Sequence, residues 1–161
     1  MSGEGLVVYY SRTGNTEKVG ESMASKLDYG ARKIIDKKDR SGISGYMKGG
    51  WDAWRENLTE IDLRRKEEDL SNYELIVIGT PVWAGKPTPA VRTYLSEKKE
   101  EIEEIAFFCT MGGSGYERTF QHLEEISGKE PVSTLAVREK EIEDGTYERA
   151  VKNFVEECSR I

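Results

Sequence analysis

The stretch Leu75-Ile76-Val77-Ile78, closed by Gly79, constrains this chain more than any other. Four consecutive apolar residues, three of them β-branched, fit a strand buried on both faces. Such strands belong to parallel sheets with helices on either side. The rest of the chain repeats the implication. Leu6-Val7-Val8-Tyr9-Tyr10 and Ile105-Ala106-Phe107-Phe108-Cys109 read as further strands. So do 32–36, around Ile34 and Ile35, and 132–137. Between them lie segments with apolar residues at helical spacing. Val19, Met23 and Leu27 mark 16–27, and Val91, Tyr94, Leu95 and Ile102 mark 89–103. Phe120, Leu123 and Ile126 mark 116–127, and Tyr147, Val151, Phe154 and Cys158 mark 144–160. This alternation predicts a doubly wound α/β sandwich, a five-stranded parallel sheet with helices on both faces. A length of 161 residues suits one domain over 1–161.

Several function classes drop out. Cys109 and Cys158 stand far apart in no metal-ligand spacing, and His122 is the single histidine. A zinc site, a disulfide scaffold and a histidine-based triad are therefore not expected, and a reducing cytoplasm is. No apolar run reaches the roughly 18 residues of a membrane span, and the N-terminus lacks the basic start of a signal peptide. A net charge of -6 disfavours nucleic acid and anionic membrane and favours basic partners. The acidic runs at 97–104 and 139–144 read as solvated faces at helix ends and turns. Cys109 reads as a small core residue, and His122 as structural, surface or half-buried.

In an open parallel sheet, ligands bind outside the carboxyl ends of the strands. Three loops there are rich in special residues. Ser11-Arg12-Thr13-Gly14-Asn15-Thr16 follows strand one and leads into a helix. Its hydroxyls and amide, a turn-forming glycine and a helix N-terminus together make a phosphate cradle. Simple helix capping would need only one of those hydroxyls. The loop lacks the GxxxxGK[ST] pattern of nucleotide P-loops. Gly113-Ser114-Gly115 lacks the third glycine of the dinucleotide fingerprint and follows the wrong strand. Strand three ends in Gly79-Thr80, without the acidic phosphoacceptor of a receiver domain, and no Cys–Arg phosphatase loop is present.

The run from Val7 to Thr16 resembles the N-terminal signature of the flavodoxin family. The resemblance extends to Gly79-Thr80-Pro81-Val82-Trp83-Ala84-Gly85 and to Thr110-Met111-Gly112-Gly113-Ser114-Gly115-Tyr116. It covers nearly the whole chain in order and is similar to the short-chain members. It departs at Gly20 and Met23, where the family usually has alanine and a branched aliphatic residue. The resemblance implies strand order 2-1-3-4-5 and FMN as the cofactor. In that family FMN lies where strands one and three diverge, so the switch-point rule and the resemblance are one argument rather than two.

The resemblance also implies residue roles. Ser11, Thr13, Asn15 and Thr16 would donate to the FMN phosphate, with Gly14 in the turn. Arg12 would either pair with the phosphate or point to solvent. Pro81, Val82, Trp83, Ala84 and Gly85 would line one side of the flavin ring. Trp83 would stack on a ring face, since its position looks poorly suited to the core. Gly85 marks where a peptide is free to present a carbonyl near flavin N5. Thr110, Met111, Gly112 and Gly113 would approach the ring from its dimethylbenzene or pyrimidine side. Tyr116 is either a second flanking aromatic or simply the start of a helix. No catalytic residue and no metal ligand is expected.

The implied function is a low-potential electron carrier. An acidic chain and a phosphate raise the cost of an anion on the reduced flavin. Its partners would be redox proteins with basic docking surfaces, met as a monomer or weak homodimer. The alternative is an FMN-dependent NAD(P)H:quinone-type reductase on the same fold. Segment 37–60, with four glycines and the aromatics Tyr46, Trp51 and Trp54, is the feature that supports it, as a lid, a substrate wall or a dimer face. The plainer reading of that segment is an extended helix packing on the sheet.

Overall fold

The computed structural model describes residues 4–36, 61–62 and 68–161. Segment 37–60, with Tyr46, Trp51 and Trp54, lies outside them. Strand β1 (Gly5–Tyr9) leads into helix α1 (Asn15–Leu27) and strand β2 (Gly30–Lys33). Two short strands, β3 (Ile35–Asp36) and β4 (Ile61–Asp62), pair antiparallel with each other. Then come β5 (Leu75–Trp83), β6 (Lys86–Pro87), α2 (Pro89–Lys98) and β7 (Glu104–Met111). The chain closes with α3 (Tyr116–Ser127), β8 (Thr134–Arg138), α4 (Glu139–Asp144) and α5 (Tyr147–Cys158). The main sheet runs β2-β1-β5-β7-β8 with every neighbouring pair parallel. This is the expected order 2-1-3-4-5.

Alternation along the strands divides the core in two. Leu6, Val8, Ile76, Ile78, Ile105 and Phe107 meet Val91 and Leu95 of α2 and Leu123 of α3. Val7, Tyr9, Val77, Ala106 and Phe108 meet Val19 and Met23 of α1 and Val151 and Phe154 of α5. Each of the larger side chains, fully buried, contributes about 1.5–3 kcal/mol. The two departures from the family pattern belong to the second layer. Met23 is wholly buried there. A Cβ on Gly20 would stand 3.0 Å from Tyr9 Cδ1 and 3.3 Å from Phe108 Cζ. A Cβ on Gly79 would run into the Phe108 ring itself. The phenol of Tyr9 crosses over α1 and donates to Glu21 Oε1 at 2.8 Å. Burial, and then that carboxylate, push its pKa well above the tyrosine range.

Several boundaries differ from expectation. The second strand begins at Gly30 and ends at Lys33, and Ile35 and Asp36 turn to pair with β4. The helix expected over 89–103 ends at Lys98 and tightens into a 3-10 turn, Lys99–Glu101. The acidic run 139–144 is itself a helix, so the helix expected over 144–160 is two helices broken at Gly145, where φ is +84°. Asp144 accepts from both the N–H and the hydroxyl of Thr146 across that break, and these bonds lower its pKa.

The largest difference is β5. It does not stop at Gly79 but continues through Thr80-Pro81-Val82 to Trp83 and folds back onto β6. Its neighbour β1 ends at Tyr9, opposite Gly79, whereas β7 stays paired as far as Thr110, opposite Pro81. From Thr80 onward β5 is therefore an edge on the β1 side, where a proline costs no ladder hydrogen bond. Among the described residues no helix is long and apolar enough to cross a membrane, and no cluster of three or more metal-ligating side chains occurs.

Candidate functional site

The notch left where β1 stops short of β5 becomes a cleft of about 310 Å³ at the carboxyl edge of the sheet. One wall is the loop after β1. Ser11, buried, accepts from the Gly14 N–H at 3.1 Å and draws the loop into a tight turn. Gly14 then heads α1 at φ +102°, and among the described residues no side chain caps the helix. The first-turn N–H groups and the positive end of the helix dipole are thus left to face outward. Nothing among the described residues lies within 4 Å of where a Gly14 Cβ would stand. Glu17 is the acid on the first turn of α1, and Lys33 donates to it at 2.7 Å. Arg12, Thr13, Asn15 and Thr16 line the cleft. This donor set fits a phosphate monoester: backbone N–H groups, hydroxyls, an amide and a guanidinium around an open glycine turn.

The opposite wall is the β5 extension, with Pro81, Val82 and Trp83 lining it. Trp83 corrects one expectation. It is not poorly placed for the core: it is 4% exposed, belongs to the first core layer, and sets its ring edge-on to Tyr10 at 5.8 Å and 87°. It touches the cleft as a buried back wall rather than as a free platform. The floor comes from β7 and the residue after it: Thr110, Met111 and Gly112. Thr110 and Thr16 share a buried hydroxyl–hydroxyl hydrogen bond of 2.7 Å.

The remaining residues singled out in the sequence lie elsewhere. Ala84 and Gly85 form the two-residue turn between β5 and β6, at φ +54° and +72°. Two consecutive left-handed residues are the usual geometry of so short a hairpin. Gly85 and Tyr116 line a separate hollow of about 530 Å³ with Ser114, Arg118 and Gln121. Tyr116 packs edge-on to Phe120 at 6.2 Å. Gly113 uses its carbonyl to accept from Arg138 Nε at 3.3 Å, which ties that loop to the end of β8. Sequence reasoning missed Glu139. It lines the cleft from the first residue of α4. The signal available was its position directly after the fifth strand, at the edge where the other loops gather.

Neither Cys109 nor His122 lines the cleft. Cys109 is wholly buried, and burial pushes its thiol up to about 12. His122 stands on α3, half-buried, with Glu125 at 4.0 Å.

A family model described as flavodoxin matches residues 4–158. No curated protein matches. Among solved structures, a flavoprotein from Lactobacillus acidophilus in complex with FMN is 26% identical, with a TM-score of 0.75. That match covers 89% of this chain and 98% of the other. The flavodoxin of Streptococcus pneumoniae is 15% identical with a TM-score of 0.60, covering 98% of this chain and 99% of its own. A WrbA-like flavodoxin from Agrobacterium tumefaciens is 17% identical with a TM-score of 0.51, covering 79% and 73%. The last two likenesses speak to fold alone. With the match running over β1, the phosphate-type loop, the β5 extension and the 110–116 loop in one alignment, the chain belongs to the flavodoxin family.

Proposed function

We propose that the cleft binds FMN and that the protein carries electrons at low potential between other redox proteins. One observation carries the reading. Among the described residues no side chain caps the helix start at Gly14, which opens on a cleft whose lining is rich in hydroxyl and amide donors. Bound there, FMN would supply the one-electron and two-electron redox chemistry. The chain's own residues do the rest. Ser11, Thr13, Asn15 and Thr16, with the first N–H groups of α1, hold the phosphate, and Arg12 supplies a counter-charge. Pro81, Val82, Met111 and Gly112 exclude water from the ring, and buried Trp83 stiffens the wall behind it. Gly85 gives the hairpin turn a peptide able to reorient. Glu139, a carboxylate on the cleft lining, raises the cost of adding negative charge to the site, which lowers the potential of the last electron. The net charge of -6 steers the molecule toward partners with basic docking surfaces.

The test is a stepwise anaerobic reduction of the FMN-loaded protein followed by visible absorption. Two resolved one-electron stages are expected. Direct passage from oxidised to fully reduced flavin, with NAD(P)H consumed by the protein alone, would replace the carrier with the reductase. Failure to retain FMN at all would remove both.

A further inference from the structure

We infer that Thr110 is a positioning residue for the phosphate loop, not a contact for the flavin ring. This rests on the FMN reading above and deepens it. The family resemblance implies that Thr110, with the loop after the fourth strand, approaches the ring. In the structure Thr110 does line the cleft floor, but its hydroxyl is committed to another side chain. Thr110 Oγ1 lies 2.7 Å from Thr16 Oγ1, across 94 residues of chain, and both side chains are almost wholly buried, at 4% and 2% exposure.

Its backbone is the most firmly held of the cleft floor. Thr110 is a strand residue, paired with Pro81 of β5 on one side and Val137 of β8 on the other. Thr16 belongs to the first turn of α1, beside the loop whose N–H groups face the cleft. The bond therefore pins the mobile kind of element, a loop and helix start, to the rigid kind, a strand inside a sheet. Sites hold their geometry best when supported in this way.

Hydroxyl bookkeeping then fixes a direction. Each hydroxyl has one proton to give, so in an O–H···O pair only one residue donates. A phosphate oxygen at the helix start is an acceptor. If Thr16 gave its proton to Thr110, it would have none for the phosphate. The productive arrangement is Thr110 donating to Thr16, and Thr16 donating into the cleft. A donor behind it orients the Thr16 hydroxyl and polarises it toward the anion. Phosphate occupancy and the orientation of Thr110 become linked, although Thr110 itself touches no phosphate.

The apoprotein is titrated with FMN and, separately, with riboflavin, which carries the same ring without the phosphate. Thr110→Val, which removes the hydroxyl and keeps the shape, should weaken FMN about fivefold, the worth of roughly one hydrogen bond. Riboflavin should change less than twofold. Thr110→Ser should restore FMN affinity, and in a Thr16→Val background Thr110→Val should have no further effect. Equal losses for FMN and riboflavin would make Thr110 a ring contact and overturn the inference. Additive losses in the double variant would overturn it too. If valine is not accommodated, Thr110→Ala reads the same FMN-to-riboflavin ratio. A wild-type protein that binds neither flavin would instead sink the FMN reading beneath it.

Discussion

Two helices of nearly equal length begin in the same way. Helices α1 and α3 each start from a glycine at φ +102°, Gly14 and Gly115, and among the described residues neither has a side chain bonded to its first N–H groups. What stands in front of them differs. Before Gly14 there is open space among the described residues, bounded by a cleft lined with donors. Before Gly115 there is packing: a Cβ there would lie 2.9 Å from Val82 Cγ1 and 3.2 Å from the Gly85 backbone. One helix start is presented to a ligand, and the other is a joint between α3 and the β5–β6 hairpin. The same backbone geometry therefore does not make a site. The strand that stops short, β1, makes one of these two helix starts accessible.

The comparison has a sharp consequence for stability. Gly115→Ala combines a strained φ with a blocked Cβ and should cost about 3 kcal/mol, read from chemical denaturation of the apoprotein. Gly14→Ala carries the strain alone and should cost about 1 kcal/mol. Equal losses at the two positions would break the distinction. For binding the order reverses. Gly14→Ala fills the cradle with a methyl group and should weaken FMN about tenfold, as expected for losing a close backbone approach worth ~1.4 kcal/mol. A Gly14→Ala protein with unchanged FMN affinity would mean that the cofactor does not use that turn.

A smaller effect concerns how α1 is held at its other end. Glu148 of α5 accepts from Lys26 Nζ at 2.6 Å and from Ser22 at 2.9 Å. The Lys26 bond first, then those of Tyr147 and Ser22, lower its carboxyl to about 2. A carboxylate whose pKa falls on folding stabilises the protein above its ordinary range and loses that contribution as pH drops through the lowered value. Glu148 and Lys26 are both exposed, so Glu148→Gln should cost less than about 1 kcal/mol at neutral pH. Urea midpoints of the variant and the wild type should converge between pH 4.5 and 2. A gap that persists below that window would show that the charge is not what holds the two helices.

Much of this was legible in the residues. The apolar run at 75–78 sufficed for a parallel sheet, and the hydroxyl-rich run 11–16 placed one wall of the cleft. The failures share a cause: each turned on what a neighbour does. Gly79 and Pro81 look like the end of a strand, yet β5 continues because β1 has already ended and leaves the proline on a free edge. Trp83 beside Gly85 looks exposed, yet the hairpin folds it back against Tyr10. The bond between Thr16 and Thr110 has no local sign at all, since it depends on the register of β7 against β5. Gly145, a helix stop followed by Thr146, and Glu139, directly after the fifth strand, were missed signals that lay in plain view.

The ring of Phe108 has a longer reach than its place in the second core layer implies. It occupies the space a side chain would need at Gly79 and presses on the space at Gly20. The three positions, drawn from a strand, another strand and a helix, are therefore sterically coupled, tightly at 79 and loosely at 20. An alanine at 20 asks Tyr9 and Phe108 to retreat by a few tenths of an ångström, and an alanine at 79 asks for a different residue at 108. The space at Gly20 is thus set by two aromatic rings, the nearer on β1 and the other two strands away on β7.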